Sequence, residues 1–172
     1  MKLIPLTQGK FAQVDDEDYE YLMQWKWIYK PNAKGNMGYA SRRALKSDPK
    51  KPSTLSMHRQ IMGAKEGQIL DHKDNDRLNN QRANLRFCTA KQNAHNRLPV
   101  RGAKYNGVCK HKTKVVKKDG TVNHHEYWAA RININGKAKR LGLYKTPEEA
   151  AMAVNEAAKK YRGEFARLNI LG

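Results

Sequence analysis

Apolar positions recur with two periods along this chain, and where the period changes the sequence predicts a change of element. Residues 3–5 and 10–14 read as short strands around a turn at Gln8-Gly9. Asp15 then caps a helix running through Leu22, with Asp16, Glu17 and Asp18 at the positive end of its dipole. Trp25, Trp27 and Tyr29 alternate with Lys26 and Ile28 as a half-buried strand does. After a loop over 32–38, residues 39–45 form its neighbour, with Arg42 and Arg43 on opposite sides. The two prolines of 46–53 interrupt regular structure, and 55–62 leads into a strand over 67–70. Asp74, Asn75 and Asp76 make a turn, Leu85 and Phe87 mark a returning strand, and Thr89 caps a helix holding Asn93.

Beyond Asn93 the pattern breaks. Pro99, Gly102 and the charges of 94–104 suit an extended linker, so the domain boundary is expected there. From Tyr105 a meander is predicted, with strands over 106–110, 127–134 and 137–144, the last two joined by the hairpin dipeptide Asn135-Gly136. Thr146-Pro147-Glu148-Glu149 is a capping box with proline at the first helical position. Ala150, Val154, Ala157, Ala158 and Tyr161 then give a narrow small-residue stripe able to pack against the sheet, until Gly163 ends the helix. Between the first two strands, 112–126 reads as a lengthened solvated hairpin turning at Asp119-Gly120. His111, His124 and His125 lack the carboxylates or thiolates that would complete a metal site. The expected class is therefore α+β.

Charge narrows the partner. The 172 residues carry 34 Lys and Arg against 16 Asp and Glu, a formal net charge of +18, and both halves are basic. Such an excess attracts a polyanion, nucleic acid first. A hydrophobic share of 39% and a mean hydropathy of −0.91 argue for small modules over one large core. No run approaches a membrane span and no signal-type apolar stretch follows Met1, so a cytoplasmic protein is expected, in the host cytosol if phage-encoded. Cys88 and Cys109 are expected to stay reduced, without disulfide or zinc.

The densest chemistry lies in 71–93, DHKDNDRLNNQRANLRFCTAKQN. Asp71 offers hard oxygen ligands suited to Mg²⁺ or Mn²⁺, and the neutral imidazole of His72 can take a proton from water. An Asp-His pair alone in a basic protein reads as a solvated turn. With Asn84, Leu85, Arg86 and Asn93 at their spacing, however, the stretch resembles the HNH nuclease motif of phage and intron homing endonucleases. That resemblance implies a ββα-metal fold over about 67–97 within a nuclease domain of 1–97. It implies His72 as general base, Asn84 as the residue that braces the loop and orients the imidazole, and Asp71 and Asn93 as ligands of one Mg²⁺ or Mn²⁺. The implied products are a 5′ phosphate and a 3′ hydroxyl. His58-Arg59 resembles a His-Arg pair upstream of the motif in phage members, and His58 is read as structural or phosphate-facing. Arg43, Arg82, Arg86, Arg97 and Arg101 are candidate phosphate contacts, the last in a basic linker over 98–104.

Residues 105–172 resemble the DNA-binding domain of plant ethylene-response factors. The matching pieces are Tyr105-Asn106-Gly107-Val108, Trp128-Ala129-Ala130, Leu141-Gly142, Thr146 to Ala151, and Phe165 to Asn169. The resemblance implies a three-stranded antiparallel sheet packed on one helix, with Asn106, Cys109, His111, Arg131, Asn133 and Arg140 facing DNA. The expected function is a site-directed DNA endonuclease acting on double-stranded DNA, without small-molecule substrate or membrane, as a monomer. The alternatives are a non-catalytic DNA-binding regulator with a degenerate nuclease fold, and an RNA-directed protein.

Overall fold

A computed structural model describes residues 1–33, 35, 37–43, 54–96 and 103–172. The expectations for 44–53 and for Arg97 and Arg101 lie outside these residues, as does most of the proposed linker. The chain divides into two compact units, Met1–Asn93 and Ala94–Gly172. Among the described residues no helix is long and apolar enough to cross a membrane.

In the first unit β1 (Lys2–Pro5) pairs antiparallel with β2 (Phe11–Val14), and α1 (Asp16–Met23) follows. A second sheet has the order β3 (Ile28–Pro31), β4 (Gly38–Arg43), β5 (Thr54–Ser56), both pairs antiparallel. Then come α2 (Met57–Ile61), the antiparallel pair β6 (Ile69–His72) and β7 (Leu85–Cys88), and α3 (Ala90–His95). The core gathers one apolar face from each: Ile4, Ala12, Val14, Leu22, Trp27, Ala40, Met57, Ile61 and Leu85 are all buried in one cluster.

Two local expectations change. Trp25 and Trp27 lie ahead of β3, not in it, because the Trp27 indole N–H donates to the Leu22 carbonyl at the end of α1 (2.8 Å) and turns the chain there. Asp15 sits at the N-cap of α1 but its carboxylate makes no cap bond. It accepts instead from Gln81 Nε2 (3.1 Å) and the Arg82 amide (2.7 Å). The short helix α2 has no sequence signature of its own; Met57 and Ile61, four apart, bury one side of it.

The second unit is a meander of order β10-β9-β8, formed by β8 (Val108–Val116), β9 (Val122–Ile134) and β10 (Lys137–Tyr144), with α4 (Pro147–Arg162) on one face. Asn135 and Gly136 both have positive φ (52° and 81°), as a type I′ turn requires. Thr146 and Glu149 bond reciprocally across the first turn of α4. Ala130, Ala150 and Val154 form one buried cluster, and Ile132, Ala157 and Ala158 another. At Gly107 (φ 75°) a Cβ would stand 2.4 Å from the Arg131 carbonyl, so only glycine lets the chain enter β8 this closely. The first two strands are longer than the periodicity suggests, since residues 112–126 continue the ladder out to Val116–Val122.

Candidate active site

β6 and β7 present their side chains alternately to two faces. On one, His72 stands opposite Leu85, which is buried in the core; on the other, Asp71 stands opposite Arg86. Arg59 fixes the approach to β6 by donating to the carbonyls of Lys65 and Gln68 (2.7 Å each).

The loop after His72 is held by its own polar side chains. Asn84 Oδ1 accepts from the Asp74 amide (3.1 Å), and its Nδ2 donates to Asp74 Oδ1 (2.9 Å) and the Asn79 carbonyl (2.8 Å). Asp74 also accepts from the Asp76 amide and from Asn79 Nδ2 (2.8 Å each). The far side of the loop is tied to β2 through Gln13, whose amide donates to Leu78 O and whose carbonyl accepts from the Asn80 amide (2.8 Å each). Asn84 thus braces the loop through Asp74 and Asn79.

The residue beside the imidazole is Asn80, which is 1% exposed and lies with Oδ1 3.5 Å from His72 Nε2. Asn80 Nδ2 donates to the Leu78 carbonyl (3.0 Å), so the atom facing the ring can only accept. A hydrogen bond there therefore requires the proton on Nε2, which leaves Nδ1 as the basic nitrogen of the neutral ring. Burial lowers the His72 pKa below the usual histidine value, against the opposing pull of the Asn80 bond and of Asp74, Asp71 and Asp76. The ring packs edge-on against His58 (5.1 Å between centroids) and lies tilted against Tyr39 (6.1 Å), which carries the Arg77 guanidinium over its own face. His58 is buried and its pKa is pushed down to about 3, chiefly by burial and then by His72 and Arg59.

On the other face Arg86 donates to Asp71 Oδ2 through both Nη2 (2.8 Å) and Nε (3.1 Å), with both side chains almost wholly covered. Cys88 shares this face, and burial followed by the charge of Asp71 raises its pKa. Asp71 offers carboxylate oxygens on this face, donors suited to a hard cation. Asn93 is exposed on α3, its amide donating to the Thr89 carbonyl (2.9 Å).

The remaining arginines fall into two groups. Arg82 donates to both carboxylate oxygens of Asp18 (2.7 and 2.8 Å), so it and Arg86 are turned to carboxylates, while Arg43 is exposed at the end of β4. The Asp15, Glu17 and Asp18 carboxylates converge within 4.8 Å, but this is the group that Gln81 and Arg82 fill. A cleft of about 160 Å³ beside the loop places Lys10 and Arg77 near Asn75 and Asp76.

The sequence comparison falls on these same elements. Residues 59–95 match the HNH endonuclease family. The matched HNH stretch begins at the arginine that orients β6 and closes at the end of α3. The chain is also 29% identical, over 97% of its own length and 79% of the relative's, to a protein of Acanthamoeba polyphaga mimivirus described as an uncharacterized HNH endonuclease. No solved structure matches. Asn80, Asp74, Tyr39 and His58 all stand around His72, a grouping the sequence reading does not contain. For Asn80 the available signal is the Asn79-Asn80 doublet after a turn; for His58 it is the His58-Arg59 pair, which does not point to His72; for Tyr39 there is none, since it approaches from another element.

In the second unit β-pairing puts Cys109, His111, Arg131, Asn133 and Arg140 on the face opposite α4. Arg131 and Arg140 are direct cross-strand partners. Asn106, at the entry to β8, has its amide and carbonyl held by the buried side chain of Asn169 (2.7 and 3.2 Å).

Proposed function

We propose that the chain is a site-directed DNA endonuclease of the HNH homing type, hydrolysing a phosphodiester to a 5′ phosphate and a 3′ hydroxyl. The observation that carries this reading is the braced loop between β6 and β7. It fixes a neutral histidine, with Nδ1 as its basic atom, directly after a buried carboxylate, inside the HNH-matching stretch. His72 takes the proton of the attacking water at Nδ1. Asn80 holds the ring in that tautomer, and Asn84 keeps the loop from collapsing onto it. Asp71 and Asn93 are the oxygen donors for one Mg²⁺ or Mn²⁺, with Arg86 balancing the carboxylate. When bound, the cation supplies Lewis-acid stabilisation of the phosphate oxygen and the departing 3′ oxygen.

The second unit is read as the duplex reader, similar in its motifs to the ethylene-response-factor domain. Its face opposite α4 presents two arginines directly across from one another, a repulsive arrangement that an anionic partner relieves. Arg43, Arg97 and Arg101 are proposed as further phosphate contacts, and the active species as a monomer in the cytosol of the host cell.

One observation favours the non-catalytic regulator instead: Asp71 already has a buried cationic partner, as in a purely structural ion pair. Supercoiled plasmid carrying candidate sites separates the two. Incubated with Mg²⁺, Mn²⁺ or EDTA, wild-type protein is expected to nick it only with metal, and His72→Ala to bind without nicking. Binding without metal-dependent nicking by the wild type, on a target shown to be bound, assigns the regulator.

A further inference from the structure

The HNH-matching stretch carries Arg59, Arg77, Arg82 and Arg86, and the fold uses all but one of them. Arg59 donates to the carbonyls of Lys65 and Gln68, Arg82 to Asp18 and Arg86 to Asp71. Arg77 differs. Its guanidinium lies over the Tyr39 ring, 4.7 Å from the centroid, and its N–H donors meet no acceptor among the described residues. A ring face consumes none of a guanidinium's donors, so the whole fork stays available to an oxyanion.

Arg77 lines the cleft beside the β6–β7 loop, and Lys10 lines it with Arg77. The walls of this cleft are tied to one another. The Tyr29 amide donates to Thr7 Oγ1 (3.0 Å), joining β3 to the turn ahead of Lys10, and Gln13 joins β2 to the loop through Leu78 and Asn80 (2.8 Å each). On the Tyr29 wall a Cβ at Gly38 would stand 2.6 Å from the Tyr29 ring and from the Lys30 carbonyl, so glycine keeps that wall close. Asp76 also lines the cleft, but its Oδ1 accepts from the Leu78 amide (2.9 Å), and among the described residues neither cation is ion-paired with it. One ring separates the cleft from the candidate base, since Tyr39 meets both Arg77 and the His72 imidazole.

We propose that this cleft is a phosphate subsite, in which Arg77, with Lys10 beside it, holds a DNA backbone phosphate adjoining the one presented to His72. The guanidinium fork donates to two phosphate oxygens at once, which fixes orientation as well as adding attraction. Its seat on Tyr39 and the tied walls exist before DNA arrives, so little ordering is left to be done on binding. The strand is thereby held in register with the imidazole, the alignment on which proton abstraction depends. The inference rests on the DNA-endonuclease reading and deepens it by naming the group that registers the strand.

The test uses full-length protein in EDTA, so that no strand is cut, on a duplex it is shown to occupy in one register. Each backbone linkage is replaced in turn by an uncharged methylphosphonate, and affinity is read by anisotropy. Wild-type protein should lose affinity on the order of tenfold at the linkage that Arg77 holds. Arg77→Ala should lose about as much on the all-phosphate duplex and nothing further at that linkage, while responding as wild type to the others. On any duplex its log-log salt slope should be shallower by about 0.9, as for one phosphate. Arg77→Lys should restore the slope but only part of the affinity, because a point charge replaces the fork. Circular dichroism and melting of each variant check that the fold persists. The proposal is overturned if Arg77→Ala binds as tightly as wild type, or if it remains as sensitive as wild type to every neutral linkage. Repeating the set with Mg²⁺ keeps the two readings apart. Coupling at one linkage without nicking would sink the endonuclease reading and leave the subsite, whereas nicking without that coupling would do the reverse.

Discussion

At the scale of single residues, the decisive groups are buried ones whose partners differ from those their type suggests. Arg86 reads from sequence as a phosphate contact, yet its donors converge on Asp71, which it neutralises inside the fold. Removing one member of such a pair strands the other charge, a loss of roughly 3 kcal/mol or more. Arg86→Ala should therefore lower the urea midpoint markedly, and Mg²⁺ should restore more of it than it adds to the wild type if the freed carboxylate binds cation. An equal Mg²⁺ effect on both proteins would leave Asp71 without a metal role. His58 predicts a pH effect of defined sign. Its pKa falls from 6.5 to about 3 on folding, so between those values the unfolded chain binds a proton that the folded chain excludes. Stability is thus full above pH 6.5 and is lost as the pH falls, by about 2 kcal/mol between pH 6.5 and 5 from this group. His72 is shifted the same way and adds to the loss. Urea titrations across this range should show a shallower pH dependence for His58→Gln, and a parallel dependence would refute the assignment.

At the scale of elements, the stretch from β6 to α3 was legible because its signals are local. A short apolar run, an Asp-Asn-Asp turn, Leu85 alternating with Phe87, and Thr89 ahead of the helix each depend on neighbours within a few residues. What escaped was held by distant partners. Arg82 finds Asp18 across 64 positions, and Asp15 finds Gln81 across 66, pairings that no periodicity encodes. The aromatic alternation at 25–29 misled because the Trp27 indole answers to a helix end and not to a strand neighbour. α2 left only the four-residue spacing of Met57 and Ile61, too little in a five-residue helix. The β6–β7 loop shows how much one local residue can hold. Asn84→Ala removes three hydrogen bonds, two of them to Asp74. At about 1 kcal/mol each, with some replaced by water, the loss should be roughly 2 kcal/mol. Hydrogen exchange should find it concentrated in the 73–81 amides, whereas a uniform rise across the unit would mean that Asn84 does not act through this loop.

At the scale of the whole molecule, charge decides the partner before shape does. A net +18 is spread over both units, while Asp71 and Asp18 are consumed internally by Arg86 and Arg82, and Asp74 by the amides and asparagines of its own loop. The acidic side chains therefore serve the fold, and the surplus of lysine and arginine remains for a polyanion. Binding should then be dominated by counterion release, with a log-log salt slope of about −5 or steeper, as for six or more phosphates. Because neither His72 nor Asn93 contributes a positive side chain, His72→Ala and Asn93→Ala should keep that slope within error even as nicking disappears. Anisotropy titrations of the three proteins on one duplex, at several salt concentrations without divalent metal, check this directly. If either variant lost the slope together with its activity, the imidazole or the amide would be holding DNA and not reacting with it, and chemistry and binding could not be assigned to separate groups of residues.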